Sequence, residues 1–90
     1  MTYEEALRTA REWAATNYQK SGYAAAALAY IDALDLAKRE AQAMGFKPEY
    51  GEHTQLLYIL SNLTTWRGPL AREAKAAIKK RIAELEKIKG

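Results

Sequence analysis

Seven residues in the middle of this chain recur in steps of three and four: Tyr23, Ala27, Tyr30, Leu34, Ala37, Ala41 and Met44. That spacing lays them on one stripe of one helix, which predicts a continuous helix from about Gly22 to Met44. Ser21 suits its N-cap and Gly45 its C-terminal stop. A first helix is predicted from about Tyr3 to Lys20, with Tyr3, Leu7, Ala10, Trp13, Ala14 and Tyr18 on one face. Thr2 followed three residues later by Glu5 has the form of a capping box. A third helix is predicted from about Glu52 to Trp66, with Leu56, Leu57, Ile59, Leu60 and Leu63 inward. A fourth runs from Pro69 to about Lys89, with Leu70, Ala74, Ile78, Ile82, Leu85 and Ile88 inward.

All five glycines and both prolines fall between these periodic segments or at the chain end, so Gly45 to Gly51 reads as a turn and Gly68-Pro69 as a break. Proline suits a first helical position. No segment alternates with period two for long, so strands are not expected. Short connections make successive helices antiparallel neighbours. The expected fold is all-α: a four-helix bundle, or two stacked antiparallel helical hairpins, formed by residues 1–90 as one domain.

Composition narrows the function classes. The chain has no cysteine, which removes disulfides, thiolate metal sites and cysteine nucleophiles. The longest runs without a charge are Ser21 to Ile31 and His53 to Trp66, shorter than the roughly 18 residues a membrane-spanning helix needs. The N-terminus is acidic at once and does not resemble a secretory signal. The expectation is a cytoplasmic protein without a membrane partner.

Candidate chemistry is sparse. His53 is the one histidine, with Glu49 four residues earlier and Glu52 adjacent. A general base with an orienting carboxylate can be built this way, but a surface turn whose acids favour a helix N-terminus accounts for the same residues. Asp32 and Asp35, three apart, are a minimal pair for a divalent ion. Solvent-facing acids, with Asp35 paired to Arg39, account for them more simply. There is no glycine-rich phosphate loop, paired-histidine metal motif or nucleophile elbow. No catalytic, cofactor-binding or metal-binding residue is assigned, and an enzyme is not expected.

Trp13 to Ala37 reads WAATNYQKSGYAAAALAYIDALDLA. This segment resembles the second half of a tetratricopeptide repeat, with Tyr23, Ala26, Tyr30 and Ala33-Leu34 at the steps where that family places aromatic and small residues. Lys38 stands near the position of the family's helix-ending proline, and Ala14 and Asn17 replace its first-helix glycine and tyrosine. The resemblance implies paired antiparallel helices and a protein-binding role.

Two surfaces stand out. The outer side of the third predicted helix, Tyr58, Ser61, Asn62 and Thr65, is polar but uncharged, where surface helices usually carry charge. Depletion of charge with enrichment of tyrosine is typical of contact surfaces. Leu28 and Leu36 lie off the main stripe of the second helix. These six residues form a candidate protein interface, and the chain is expected to act as a non-catalytic, self-associating interaction module with an adaptor or regulatory role.

The alternative is nucleic-acid binding. Residues 67–90 hold eight Lys and Arg against three Glu, a net charge of +5, whereas residues 1–66 carry −2. Arg72, Lys75 and Lys79 form an outward stripe, flanked by Lys80 and Lys87, that is suited to a phosphate backbone. Arg81 breaks the pattern by falling in the apolar arc of the fourth helix, where it must snorkel or find a carboxylate on another helix or another chain.

Overall fold

The computed structural model describes residues 1–89 and is all-α, with five helices among those residues: α1 (Tyr3–Asn17), α2 (Gly22–Asp32), α3 (Leu34–Ala43), α4 (Pro48–Ser61) and α5 (Pro69–Lys89). The predicted starts of the first, second and last helices hold. Thr2 and Glu5 form the capping box, each side chain accepting from the other's backbone N–H at 3.1 Å. Ser21 caps α2 by accepting from Ala24 N–H.

The single rod expected from Gly22 to Met44 is broken at Ala33, whose φ of −92° and ψ of 6° leave the helical region. The stripe divides the same way. Ala27 and Ala41 are buried, while Tyr23 and Met44 at its ends stand 51% and 74% exposed. The cause lies in the neighbours. Asp32, the last residue of α2, is held to α1 by two hydrogen bonds from Arg11, at 2.6 and 3.1 Å. Just inside the break, the Gln55 side-chain amide of α4 donates to the Tyr30 carbonyl at 2.8 Å. Carbonyls in the last turn of a helix need partners from outside it. Beyond the break, α3 packs chiefly on α4.

Gly51 explains how closely. It lies inside α4 and not in the turn that the glycine pattern predicted. A Cβ placed there would clash with the Ala37 carbonyl oxygen, sit 2.7 Å from the Ala37 carbonyl carbon and lie 3.2 Å from Ala41 Cβ. The glycine is therefore a contact residue that lets α3 and α4 touch backbone to backbone. Helix α4 accordingly starts four residues early, with Pro48 in its first turn. The turn before it is closed by a Schellman motif: Phe46 N–H donates to the Ala41 carbonyl, Gly45 N–H donates to the Gln42 carbonyl, and Gly45 has a φ of +88°.

The core is built from seams of alanine against larger aliphatics. Ala6, Ala10 and Ala14 of α1 and Ala24 and Ala27 of α2 have no solvent exposure, and all but Ala24 join a cluster that includes Leu56, Ile59, Leu63, Ile78 and Leu85. Trp13 and Trp66 stack with centroids 5.6 Å apart and close one end. Several residues assigned inward by spacing are instead about half exposed: Tyr18, Leu57, Leu70 and Ile88. So short a chain leaves a large fraction of its apolar surface uncovered.

Gly51→Ala is expected to destabilise the protein by about 1–3 kcal/mol, the usual cost of overpacking, because backbone cannot move aside as a side chain can. Gly22→Ala, where no atom lies within 4 Å of the added methyl group, is expected to leave stability unchanged or raise it by up to about 1 kcal/mol. Urea unfolding of the two variants measures the difference.

Candidate functional site: an uncharged face on α4

Successive residues of a helix are rotated by about 100°. On α4, Tyr50, Thr54, Leu57, Tyr58 and Ser61 therefore share one arc, opposite the buried arc of Glu52, His53, Leu56 and Ile59. Thr54, Leu57, Tyr58 and Ser61 are all exposed. No Asp, Glu, Lys or Arg occurs between His53 and Trp66, so the outer face of α4 is free of charge from Tyr50 onward.

The polar groups on this face are turned back on their own helix. Ser61 Oγ donates to the Leu57 carbonyl at 2.9 Å, and Asn62 Nδ2 donates to the Tyr58 carbonyl at 2.8 Å. Thr54 Oγ1 donates to the Tyr50 carbonyl at 3.2 Å. These bonds serve carbonyls of α4. They also leave fewer donors for water, so the face is less hydrophilic than its composition implies.

Aromatic rings extend the face at both ends. Tyr58 stacks on Tyr30 of α2, with centroids 5.3 Å apart and planes 19° apart. A shallow cleft beside it is lined by Gly22, Tyr23 and Asn62. At the other end, the Phe46 and Tyr50 rings meet at 5.7 Å. There a groove between α3 and α4 is floored by Ala37, Ala41 and Gly51 and walled by Met44, Phe46 and Thr54, with the exposed Glu40 also lining it. Thr54 and Tyr50 belong to both groove and stripe, so one strip runs from Phe46 to Tyr23, uncharged on α4 and carrying Glu40 at its groove end.

The six interface residues expected from sequence are placed unequally. Tyr58 and Ser61 stand on the strip, and Asn62 lies at its edge as the C-cap of α4. Thr65 is exposed but lies in the irregular connection 62–68, because α4 ends at Ser61 and not near Trp66. Leu36 is 49% exposed on α3, whereas Leu28 is half-buried and packs against the hydrophobic core. The strip also gains Leu57, Tyr23, Met44 and Phe46. Helical spacing had counted the first three as inward, and the turn assignment had hidden Phe46.

The basic stripe changes as well. Arg72 and Lys79 are exposed on α5. Lys75 is half-buried, and its Nζ donates to the Trp66 carbonyl, securing the 62–68 connection. Burial, with Arg67 and Lys79 nearby, holds its ammonium below the ordinary lysine range.

Beneath these surfaces, a buried polar cluster joins three helices. Glu52 of α4 is only 3% exposed. It accepts from Arg81 Nε and Nη2, each at 2.9 Å, and from the Tyr3 hydroxyl at 2.9 Å. The Arg81 guanidinium lies over the Tyr3 ring, 5.6 Å from its centroid. Arg81 thus meets its carboxylate within the chain. Burial alone would raise the Glu52 carboxyl, but the bonds from Arg81 and Tyr3 and the charge of Arg81 outweigh it and hold the group below the ordinary glutamate range. Burial, followed by the charge of Glu52 and the hydrogen bond to it, pushes the Tyr3 phenol well above its ordinary value.

His53 is buried inside α4 and not in a surface turn; its Nε2 lies 3.3 Å from Glu86 Oε1 of α5. Glu52, offered by sequence as its orienting carboxylate, is directed at Arg81 and Tyr3 instead. Asp32 is paired with Arg11, whose hydrogen bonds lower its carboxyl pKa. Among the described residues, no group of three or more His, Cys, Asp or Glu is placed to hold a metal ion.

Glu52→Gln strands Arg81 and is expected to destabilise the protein by about 3 kcal/mol, the low end for a broken buried pair, since the Arg81 side chain keeps 31% exposure. Replacing Glu52 and Arg81 together by methionine is expected to cost less than the single change. Because the folded-state pKa of Glu52 is depressed, its contribution is present above about pH 4.3 and is lost as pH falls through the folded value. Urea unfolding as a function of pH is therefore expected to show a smaller acid loss for Glu52→Gln than for the wild type.

No family model matches the chain, and neither a curated protein nor a solved structure matches it.

Proposed function

We propose that this chain is a small non-catalytic interaction module that associates with a second copy of itself through the outer face of α4, in an adaptor or regulatory role. The observation behind this reading is the uncharged outer face of α4, from Tyr50 to Ser61, with stacked aromatic rings at both of its ends. The chain carries a formal charge of +3, so two copies repel at long range, and a contact face without charge adds nothing to that repulsion. A two-fold contact places the same patch on both sides, so a patch of a single sign of charge faces its own sign. The α4 face avoids this along its whole length.

Area supports using the whole strip. A standard interface buries about 800 Å² per partner, roughly one-seventh of the 5612 Å² surface of this molecule. Helix α4 spans only about 21 Å at 1.5 Å per residue, so the contact draws in the tyrosines of α2 and the Met44–Phe46 groove. The protein-binding role implied by the tetratricopeptide-like segment points the same way, since Tyr23 and Tyr30 lie within it.

Sedimentation equilibrium tests the reading. The wild type is expected to show a concentration-dependent mass above the 10.1 kDa of the single chain. Leu57→Glu is expected to weaken association at least tenfold, about 1.4 kcal/mol, without loss of helical circular dichroism. A wild-type mass that stays at the single-chain value at high concentration overturns it.

A further inference from the structure

We infer that the outer face of α5 binds the phosphate backbone of nucleic acid, through Arg72, Lys79, Lys80 and Lys87. This surface is separate from the α4 strip, which lies on the side of α4 turned away from α5, and the inference does not depend on self-association.

The argument starts from rotation about the helix axis. Taking about 100° per residue, Arg72, Ala76, Lys79, Lys80, Ala83 and Lys87 fall within one arc roughly 100° wide, opposite the buried Ala74, Ile78 and Leu85. All six are exposed. The remaining cations of α5 with described side chains are engaged elsewhere: Lys75 at the Trp66 carbonyl and Arg81 at Glu52. The acids of α5 stand outside the arc. Glu86 is directed to His53 on α4, and Glu73 and Glu84 fall on the flank toward α1. What is left is a surface of four cations whose midline carries no carboxylate, bordered along one edge by the exposed Glu73 and Glu84.

Its shape fits a phosphate backbone. The two alanines on the midline let the helix approach closely, while the long cationic side chains reach outward. From Arg72 to Lys87 the face measures about 22 Å at 1.5 Å per residue, long enough to meet several phosphates at about 3.4 Å per nucleotide along one strand. A membrane surface is the poorer fit. Interfacial helices insert large apolar residues such as Trp, Phe or Leu beside their cations, and the apolar residues within this arc are only Ala76 and Ala83. Leu70 and Ile88 lie outside it, on the α1 side.

The test is fluorescence anisotropy of a labelled mixed-sequence DNA duplex with the full chain, beside co-sedimentation with phosphatidylserine vesicles. Binding at about 50 mM salt is expected to weaken about 100-fold by about 200 mM, the dependence expected for four released counterions. Arg72→Glu with Lys79→Glu is expected to lower affinity at least tenfold at the lower salt. Lys20→Glu with Arg39→Glu, an equal change of net charge at exposed sites off α5, is expected to lower it much less. Leu57→Glu is expected to bind as the wild type does, which separates this inference from the self-association reading. Absence of duplex binding at low salt, equal losses in the two charge-reversed proteins, or binding to vesicles but not to duplex each overturns it.

Discussion

The Glu52 carboxylate fixes how α4 is rotated, and most of the molecular surface follows from that rotation. Arg81 from α5 and Tyr3 from α1 converge on a group with almost no exposure, so α4 turns its Glu52 edge inward and cannot roll without stranding a guanidinium. A buried ion pair is a weak source of net stability, since a well-packed apolar pair often does as well. Its directional demand is another matter. Apolar residues alone define the inner face of α4 loosely, because leucine or isoleucine occurs at positions 56, 57, 59, 60 and 63 and several rotations bury most of them. The hydrogen bonds to Glu52 select the one in which Leu57 faces out beside Tyr58 and Ser61.

Gly51, the preceding residue, sets the other coordinate. It brings α3 against α4 at a separation that a methyl group would forbid, and this contact competes with the tendency of residues 22–44 to form one straight rod. Helix α2 is anchored to α1 by Arg11 and Asp32, and α3 is anchored to α4 at Gly51. A straight helix follows only one of these partners, and the chain yields at Ala33, next to the Asp32 pair with Arg11 and within a turn of the Tyr30 carbonyl that Gln55 engages. The same compromise leaves Met44 and Phe46 standing over a groove instead of inside the core.

Much of the fold was legible because it rests on local chemistry. Thr2 with Glu5, Ser21 and Pro69 mark helix starts in any context, and the alanine steps of α1 and α2 announce close packing wherever they occur. What was not legible depended on partners distant in sequence. Gly51 looks like a turn residue until Ala37 is seen against it. Arg81 looks misplaced until Glu52 and Tyr3 arrive, and Lys75 looks like a surface cation until the Trp66 carbonyl claims it. For the α4 face, the lack of charge between His53 and Trp66 was legible in the sequence, and the structure places Tyr58 and Ser61 of that run on one exposed arc. Spacing alone misassigned Leu57, because a run with leucine or isoleucine on several sides does not reveal which side is wet.

The two outward surfaces differ for a reason rooted in the same cluster. Placing Glu52 and Glu86 of α4 and α5 against Arg81 and His53 draws carboxylates toward the α4–α5 seam. That leaves the outer arc of α5 predominantly cationic, with Glu73 and Glu84 at its edge, while the outer arc of α4 carries no charge. The chain thus separates an uncharged contact face from a basic one without needing separate domains. On the reading proposed here, copies joined through α4 leave each α5 outside the contact, so self-association multiplies the basic faces and covers none of them. The separation is enforced by rotation: a change that releases Glu52 lets α4 roll, moves charge toward the uncharged strip and returns Arg81 to the surface, altering both faces together.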